Sequence, residues 1–136
     1  QIGFPGGSMD PTDTDLRATA LREANEEVGI MSGEVEILGA LTPLYIPGSN
    51  FRVFPYVAYA GEPPMYNISH AEVAHTLEIP MQEFMIPERR IITDVVSPAR
   101  AEKIRNVHAY QLEDGTIIWG ATAMIISELE MLMHKI

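Results

Sequence analysis

The stretch REANEEVGI, residues 22–30, places three glutamates on little more than one turn of a predicted helix. Glu23, Glu26 and Glu27 cover a narrow arc, at about 100° per residue, that borders the apolar side of that helix. Like charges four residues apart destabilise a helix, and partial burial raises the cost. A divalent cation reverses the sign, because Mg²⁺ binds carboxylate oxygens. The stretch therefore predicts a metal site suited to diphosphate chemistry; the alternative is an ordinary solvated helix end.

The helix that carries these glutamates is predicted to begin near Thr14 or Asp15 and to end near Val28. Asp13 or Thr14 is its expected N-cap, and Gly29 is well placed as the glycine that ends it. Its inward stripe has apolar residues at helical spacing, namely Leu16, Ala20, Leu21, Ala24 and Val28. Upstream, residues 3–13 are predicted as a glycine- and proline-rich loop.

The remainder of the chain alternates strand and loop patterns before a closing helix. Strands are predicted over 34–41, a largely buried 51–60, 75–79 and 89–96, with a loop over 44–50. A hairpin is predicted across the Asp114–Gly115 dipeptide. The last helix is expected from Ala121 to about Met133, with an inward face of Met124, Ile125, Leu129 and Leu132. This order indicates one mixed α/β domain over residues 1–136.

Composition limits the classes of function. The 136 residues are 46% hydrophobic, a size and composition typical of one folded domain. With 19 acidic and nine basic residues, the formal charge is −10 and no basic stripe exists, which argues against nucleic-acid binding. No apolar run approaches the roughly 18 residues that cross a bilayer. The absence of cysteine excludes disulfides and thiolate ligands, and it is compatible with a cytoplasmic location.

The stretch REANEEVGI resembles the core of the Nudix box, Gly-x5-Glu-x7-Arg-Glu-U-x-Glu-Glu-x-Gly-U, in which U is a bulky apolar residue. Six positions match, namely Arg22, Glu23, Glu26, Glu27, Gly29 and Ile30, and Ala24 is a small residue at the first U. The resemblance implies a Nudix-type α/β/α sandwich around a mixed β-sheet. It also implies a hydrolase of nucleoside diphosphate derivatives that depends on Mg²⁺ or Mn²⁺.

The same resemblance assigns roles to individual residues. Glu26 and Glu27 would ligate the metal, and Gly7 would lend its carbonyl oxygen. Glu23 would activate water or bind the metal, and Arg22 would orient Glu23. The family often recruits a further carboxylate from a later segment, for which Glu72 and Glu78 are both candidates. Dimerisation is common in the family, so a homodimer is an expectation.

The front half of the box departs from the consensus. Counted back from Arg22, the consensus glutamate falls on Thr14 and the consensus glycine falls on Ser8. Gly7 therefore lies one residue too far upstream, and the loop between Ser8 and Thr14 is one residue longer than the pattern. The role of the missing acid is open: it passes to Asp10, Asp13 or Asp15, or it is lost.

The substrate is suggested by the loop itself. FPGG, residues 4–7, resembles the end of an extra signature that marks the coenzyme A diphosphatase branch, and residues 51–60 and 117–130 resemble later segments of it. The resemblance implies cleavage of coenzyme A or a derivative into 3′-phosphoadenosine 5′-phosphate and 4′-phosphopantetheine. ADP-ribose or another nucleotide-sugar, or a non-catalytic ligand-binding module, are the alternatives. Because the chain opens at Gln1 directly into IGFPGG, we expect a domain truncated on its N-terminal side.

Overall fold

The computed structural model describes all residues from Gln1 to Ile136, and they divide into two compact units. The N-terminal unit comprises residues 4–78, and the C-terminal unit comprises residues 1–3 together with 79–136. The expectation of one domain over residues 1–136 stays a prediction.

The N-terminal unit is built on helix α1, Leu16–Val28. Asp15 caps its start, since the Asp15 Oδ1 accepts a hydrogen bond from the Ala18 N–H at 2.8 Å. The prediction of Asp13 or Thr14 as the cap is therefore wrong. Gly29 ends the helix in the left-handed conformation, with φ +79°, as predicted.

Two small antiparallel sheets follow α1 in this unit. Strand β1 (Val35–Ala40) pairs with β4 (Tyr56–Ala60), and β2 (Leu44–Ile46) pairs with β3 (Phe51–Val53). The strand predicted over 51–60 is interrupted before β4, because Pro55 has no N–H to donate to a ladder. The predicted loop over 44–50 contains β2. The prediction that residues 51–60 are largely buried is also wrong, since Phe51 is 56% exposed.

Residues 61–78 form neither helix nor strand. The strand predicted over 75–79 is therefore wrong. The segment instead uses its backbone donors on the end of α1: the Asn67 N–H and the Ser69 N–H donate to the carbonyls of Val28 and Glu27, both at 2.9 Å. Those carbonyls have no partner within the helix, so the segment satisfies the C-terminus of α1.

The C-terminal unit contains helix α2 (Met81–Met85), strands β5 (Arg90–Ser97), β6 (Glu102–Gln111) and β7 (Ile117–Trp119), and helix α3 (Gly120–Met133). The three strands form one antiparallel sheet in the order β5-β6-β7. The predicted hairpin is confirmed, with Gly115 at φ +90° in the turn between β6 and β7. Its core contains Phe84, Tyr110, Ile118, Ala123 and Ile126.

The inward face of α3 differs from the prediction. Its buried residues are Thr122, Ala123, Ile126 and Glu130, whereas Met124 and Leu132 of the predicted face are 57% and 44% exposed. Apolar residues occupy most of this helix, so their spacing alone does not select one face. Packing of α3 against α2, β6 and β7 determines which of its faces is buried.

The α/β class is confirmed by helices combined with antiparallel strands. In detail, the strands form three small antiparallel sheets and not one mixed sheet. Most pairs join strands that follow one another through short turns, and this connection produces antiparallel order. None of the helices has the length and apolar character needed to cross a membrane.

Candidate metal centre

Arg22 lies at the centre of the polar contacts between α1 and the loop that precedes it. Its Nη2 donates to the Ser8 carbonyl at 3.0 Å, and its Nη1 donates to Glu23 Oε1 at 3.2 Å and to Glu26 Oε2 at 3.1 Å. Its Nε and Nη2 also donate to Asp13, at 3.0 Å each. The planar guanidinium therefore joins the loop to Glu23 and Glu26 of the helix.

Asp13 is the most heavily bonded carboxylate of the loop. Besides Arg22, its Oδ2 accepts from the Thr19 hydroxyl at 2.9 Å and from the Asp10 N–H at 2.8 Å. The side chain is only 5% exposed. The hydrogen bonds from Arg22, followed by that from the Asp10 N–H, lower the pKa of Asp13 to about 2.

Gly7 lies directly against the carboxylate of Glu23. A Cβ built on Gly7 would overlap that carboxylate, lying 2.6 Å from Glu23 Cδ, whereas a Cβ on Gly6 would meet nothing within 4 Å. The Glu23 side chain is 14% exposed. The second glycine of FPGG is therefore the position that lets the loop backbone approach the helix carboxylate.

Glu27 carries a raised pKa, caused first by burial and next by the negative charge of Glu23. The charge of Glu72 raises it further, and a protonated Glu27 can donate to Glu23. The Gly6 N–H acts in the opposite direction, by donating to the Glu27 carboxylate. Glu27 is thus held among like charges, with one backbone dipole in compensation.

Glu72 reaches this group because residues 67–72 are docked on the end of α1. After the Ser69 N–H binds the Glu27 carbonyl, a turn forms in which the Glu72 N–H donates to the Ser69 carbonyl at 3.0 Å. Glu78 is placed elsewhere, since its charge and its hydrogen bond raise the pKa of Tyr66, after burial. Of the two open candidates, the structure brings Glu72 to the glutamate cluster.

Glu26 stands apart from this cluster. Its side chain is 54% exposed and pairs with Arg22 at 3.1 Å. No three carboxylate or imidazole side chains converge on one point as a ready metal cage. Of the residues predicted for the site, Gly7, Arg22, Glu23 and Glu27 therefore lie together, and Glu26 joins them through Arg22.

The sequence leaves open whether the role of the consensus acid passes to Asp10, Asp13 or Asp15 or is lost. Asp13 precedes Arg22 by nine residues, whereas the consensus acid precedes it by eight. No signal in the sequence separates Asp13 from the other two aspartates, because only the contacts of the folded loop distinguish them. Asp15 is consumed by capping α1, and Asp10 accepts from the N–H and hydroxyl of Thr12 within its own turn.

Comparison with known proteins bears directly on this geometry. A model of the NUDIX domain matches residues 1–108 of the chain. The chain belongs to the Nudix family. The matched residues include the whole of α1 and the glycine loop, so the likeness of REANEEVGI to the Nudix box is confirmed at the level of the family.

Bacterial relatives give the same family assignment. The chain is 38% identical over 129 residues to a protein of Photorhabdus laumondii named "Uncharacterized Nudix hydrolase NudL", with 95% of the chain and 66% of the relative covered. Proteins of the same name from Pectobacterium atrosepticum and Yersinia enterocolitica are 35% and 39% identical, covering 96% and 95% of the chain and 66% and 64% of those relatives. The chain thus spans slightly less than two thirds of the length of these Nudix relatives.

Proposed function

We propose that this protein is a metal-dependent Nudix diphosphatase that hydrolyses coenzyme A or a coenzyme A derivative. The products would be 3′-phosphoadenosine 5′-phosphate and 4′-phosphopantetheine. The observation that carries the proposal is the cluster of Glu23, Glu27 and Glu72 beside the glycine loop, where burial, followed by the negative charges of Glu23 and Glu72, raises the pKa of Glu27. Relatives named as Nudix hydrolases support the same class of reaction.

The donor set fits Mg²⁺ or Mn²⁺. It offers only oxygen atoms, from the three clustered carboxylates and from the backbone of the glycine loop, and such ligands suit hard divalent cations. A bound cation would offset the electrostatic repulsion between the carboxylates of the cluster. Glu23, Glu26, Glu27 and the Gly7 carbonyl would hold the metal, with Glu72 as the additional carboxylate.

Glu26 can join this set at little cost. Its contact with Arg22 is an ion pair four residues along a helix, and its carboxylate is more than half exposed. Such pairs contribute roughly 0.3–0.5 kcal/mol. Because this is far less than a metal–carboxylate bond, the Glu26 side chain can exchange Arg22 for a cation without disturbing the helix.

Each residue of the site has its own role in the proposed hydrolysis. Arg22 holds the Glu23 carboxylate towards the glycine loop, where Glu23 can accept a proton from an attacking water. Glu27, close to Glu23 and of raised pKa, stays bound to the Gly6 N–H and defines the other side of the cradle. A bound divalent cation supplies charge neutralisation of the diphosphate and a more acidic water.

Coenzyme A is favoured as the substrate because the FPGG stretch resembles the branch signature and because its glycines contact the glutamates of the site. Residues 4–7 place Gly7 against Glu23 and the Gly6 N–H on Glu27. The branch signature therefore coincides with the loop that shapes the cradle. ADP-ribose or another nucleotide-sugar is the second candidate, since the cradle itself recognises a diphosphate. A non-catalytic binding module remains the alternative from another class.

A substrate panel tests the proposal. Purified protein would be incubated with coenzyme A, ADP-ribose, dinucleoside polyphosphates and nucleoside triphosphates, each with Mg²⁺, with Mn²⁺ or with a chelator, and products would be identified by mass. We expect metal-dependent formation of 3′-phosphoadenosine 5′-phosphate from coenzyme A above all. Preferred cleavage of ADP-ribose would transfer the assignment to the second candidate, and no turnover of any compound would favour the binding module.

A cytoplasmic location and a homodimer belong to the same proposal. The chain contains no cysteine, which suits a reducing compartment but does not require it. Sedimentation of the purified protein would test the dimer directly, with a mass of twice 15.1 kDa expected for this chain.

A further inference from the structure

Residues 8–15, which are the off-consensus loop and the helix cap that follows it, contain three aspartates with different contacts. Asp15 Oδ1 caps α1 through the Ala18 N–H. Asp10 Oδ1 closes a turn by accepting from the N–H of Thr12 at 3.0 Å and from its hydroxyl at 2.8 Å. Only Asp13 faces Arg22 with both carboxylate oxygens.

The contact between Asp13 and Arg22 has the paired form that fixes a guanidinium plane. Arg22 Nε donates to Oδ1 at 3.0 Å while Nη2 donates to Oδ2 at 3.0 Å. This leaves Nη1 directed at Glu23 and Glu26. Because the guanidinium is planar, fixing Nε and Nη2 also fixes the position of Nη1. Asp13 therefore determines where Arg22 can contact Glu23 and Glu26.

Asp13 is in turn held by groups that do not belong to the cradle. The Thr19 hydroxyl donates to Oδ2 from inside α1, where Thr19 is buried, and the Asp10 N–H donates from the loop. The Asp13 N–H donates to the Asp10 carbonyl at 2.9 Å, which closes the loop on itself. The carboxylate is therefore a fixed point between loop and helix.

We propose that Asp13 is the positioning residue of this site: it fixes Arg22, and through Arg22 the Glu23 carboxylate, in place of an acid at the consensus position Thr14. Asp13 lies one residue upstream of the consensus position, in the loop before the helix, and its side chain reaches Arg22 from there. The inference rests on the proposed diphosphatase function for its kinetic consequence, but the placement of Arg22 can be measured without turnover.

The matched variants are Asp13→Asn, Thr14→Ala and Arg22→Lys. Asparagine keeps the size of Asp13 but replaces one accepting oxygen by an NH2 group, which cannot accept a hydrogen bond from Arg22. Thr14→Ala changes the residue at the consensus position of the acid, which is exposed and lies next in the chain. Asp13→Glu restores the charge and tests rescue by a longer acid.

The first readout is the Arg22 Nε–Hε signal in NMR spectra of the metal-free protein. We expect slow exchange of this proton with water in the wild type and in Thr14→Ala, and loss of the protected signal in Asp13→Asn. A protected signal in Asp13→Asn would overturn the proposal. This measurement does not depend on activity, so failure of the diphosphatase assignment leaves it intact.

The second readout is kinetic. Asp13→Asn should lower kcat about 100-fold, with a much smaller change in KM, because a misplaced catalytic group affects the transition state most. Asp13→Glu should recover part of the loss, and Thr14→Ala should stay within about twofold of the wild type. In the double variant with Arg22→Lys, Asp13→Asn should add no further loss, since both act through one group. Multiplicative losses, or wild-type kcat in Asp13→Asn, would overturn the proposal.

Discussion

Gly29 lies against the backbone of Asn67, where a Cβ on Gly29 would come within 2.7 Å of the Asn67 nitrogen. This approach lets the Asn67 N–H and the Ser69 N–H bind the last carbonyls of α1. The turn that follows brings Glu72 to Glu27. One glycine of the Nudix box thus ends the helix and admits the segment that extends the carboxylate cluster.

Replacing Gly29 by alanine should destabilise the N-terminal unit by about 2 kcal/mol. A left-handed conformation costs a residue with a Cβ roughly 1–2 kcal/mol, and the overlap with the Asn67 backbone adds to this. Urea unfolding measures the effect. Gly33→Ala is the control, since a Cβ there meets nothing within 4 Å and it should change stability by less than about 0.5 kcal/mol. Equal stability of the two variants would contradict the role of Gly29.

Replacing Gly7 by alanine should lower metal-dependent turnover by about tenfold or more without unfolding the protein. The new methyl group would overlap the Glu23 carboxylate, which is the end of a flexible side chain and would move away from the loop. Gly6→Ala is the matched control, because its Cβ enters open space and its N–H is retained. Comparison of kcat and melting temperature checks the prediction; equal activity of both variants would disprove it.

The features of the fold that were predicted correctly depend on contacts between residues close together in the sequence. The end of α1 at Gly29 and the turn at Asp114–Gly115 follow from residues that act on their own neighbours. The predicted inward face of α3 failed because it depends on packing with α2 and the C-terminal sheet. The course of residues 61–78 failed because its partners are the carbonyls of a helix some 40 residues earlier.

The same division holds at the site. The contacts of Arg22 with Glu23 and Glu26 lie within one helical turn, so spacing alone anticipates them. The bond of Asp13 to Arg22 depends on how an irregular loop folds back, and the approach of Glu72 to Glu27 depends on a docked segment. Neither contact follows from the spacing of residues along the sequence.

The difference in unfolding free energy between the wild type and Asp13→Asn should depend on pH. The pKa of Asp13 is lowered to about 2 in the fold from an ordinary value of 3.8, chiefly by hydrogen bonds from Arg22. A depressed pKa means that the ionised carboxylate stabilises the fold, so its contribution is complete above about pH 4 and disappears as the pH falls through 2. Unfolding curves from pH 5 to pH 2 check this. A difference that stays constant over that range would contradict the prediction.

In the C-terminal unit, Arg90→Ala should destabilise the fold more than Glu130→Gln. Glu130 is buried and binds both Arg90 and His134, whose Nε2 lies 2.8 Å from Glu130 Oε1. Loss of Arg90 leaves a buried carboxylate with one partner, at a cost of about 3 kcal/mol. Loss of the Glu130 charge leaves Arg90 and His134, both about half exposed, to be solvated by water, at a cost of about 1 kcal/mol.

Urea unfolding of both variants measures this order. Arg100→Ala, at an exposed position in the turn between β5 and β6, is the control and should lie within about 0.5 kcal/mol of the wild type. A larger loss in Glu130→Gln than in Arg90→Ala would show that burial of the carboxylate does not set the cost.

We expect the clustered carboxylates to bind a divalent cation that hydrolysis requires. The most direct measurement is the melting temperature of the wild type and of Glu27→Gln as Mg²⁺ or Mn²⁺ is added, with Glu36→Gln as an equal charge change at an exposed strand position. Removing the Glu27 charge should raise the stability of the metal-free protein at pH 7, because the raised pKa of Glu27 shows that its ionised form is disfavoured in the fold.

In the wild type and in Glu36→Gln, metal at 100 times its Kd should add about 2.7 kcal/mol of stability. In Glu27→Gln that gain should be lost and turnover should fall by orders of magnitude. A metal-induced shift and a turnover in Glu27→Gln equal to those of the wild type would contradict the account.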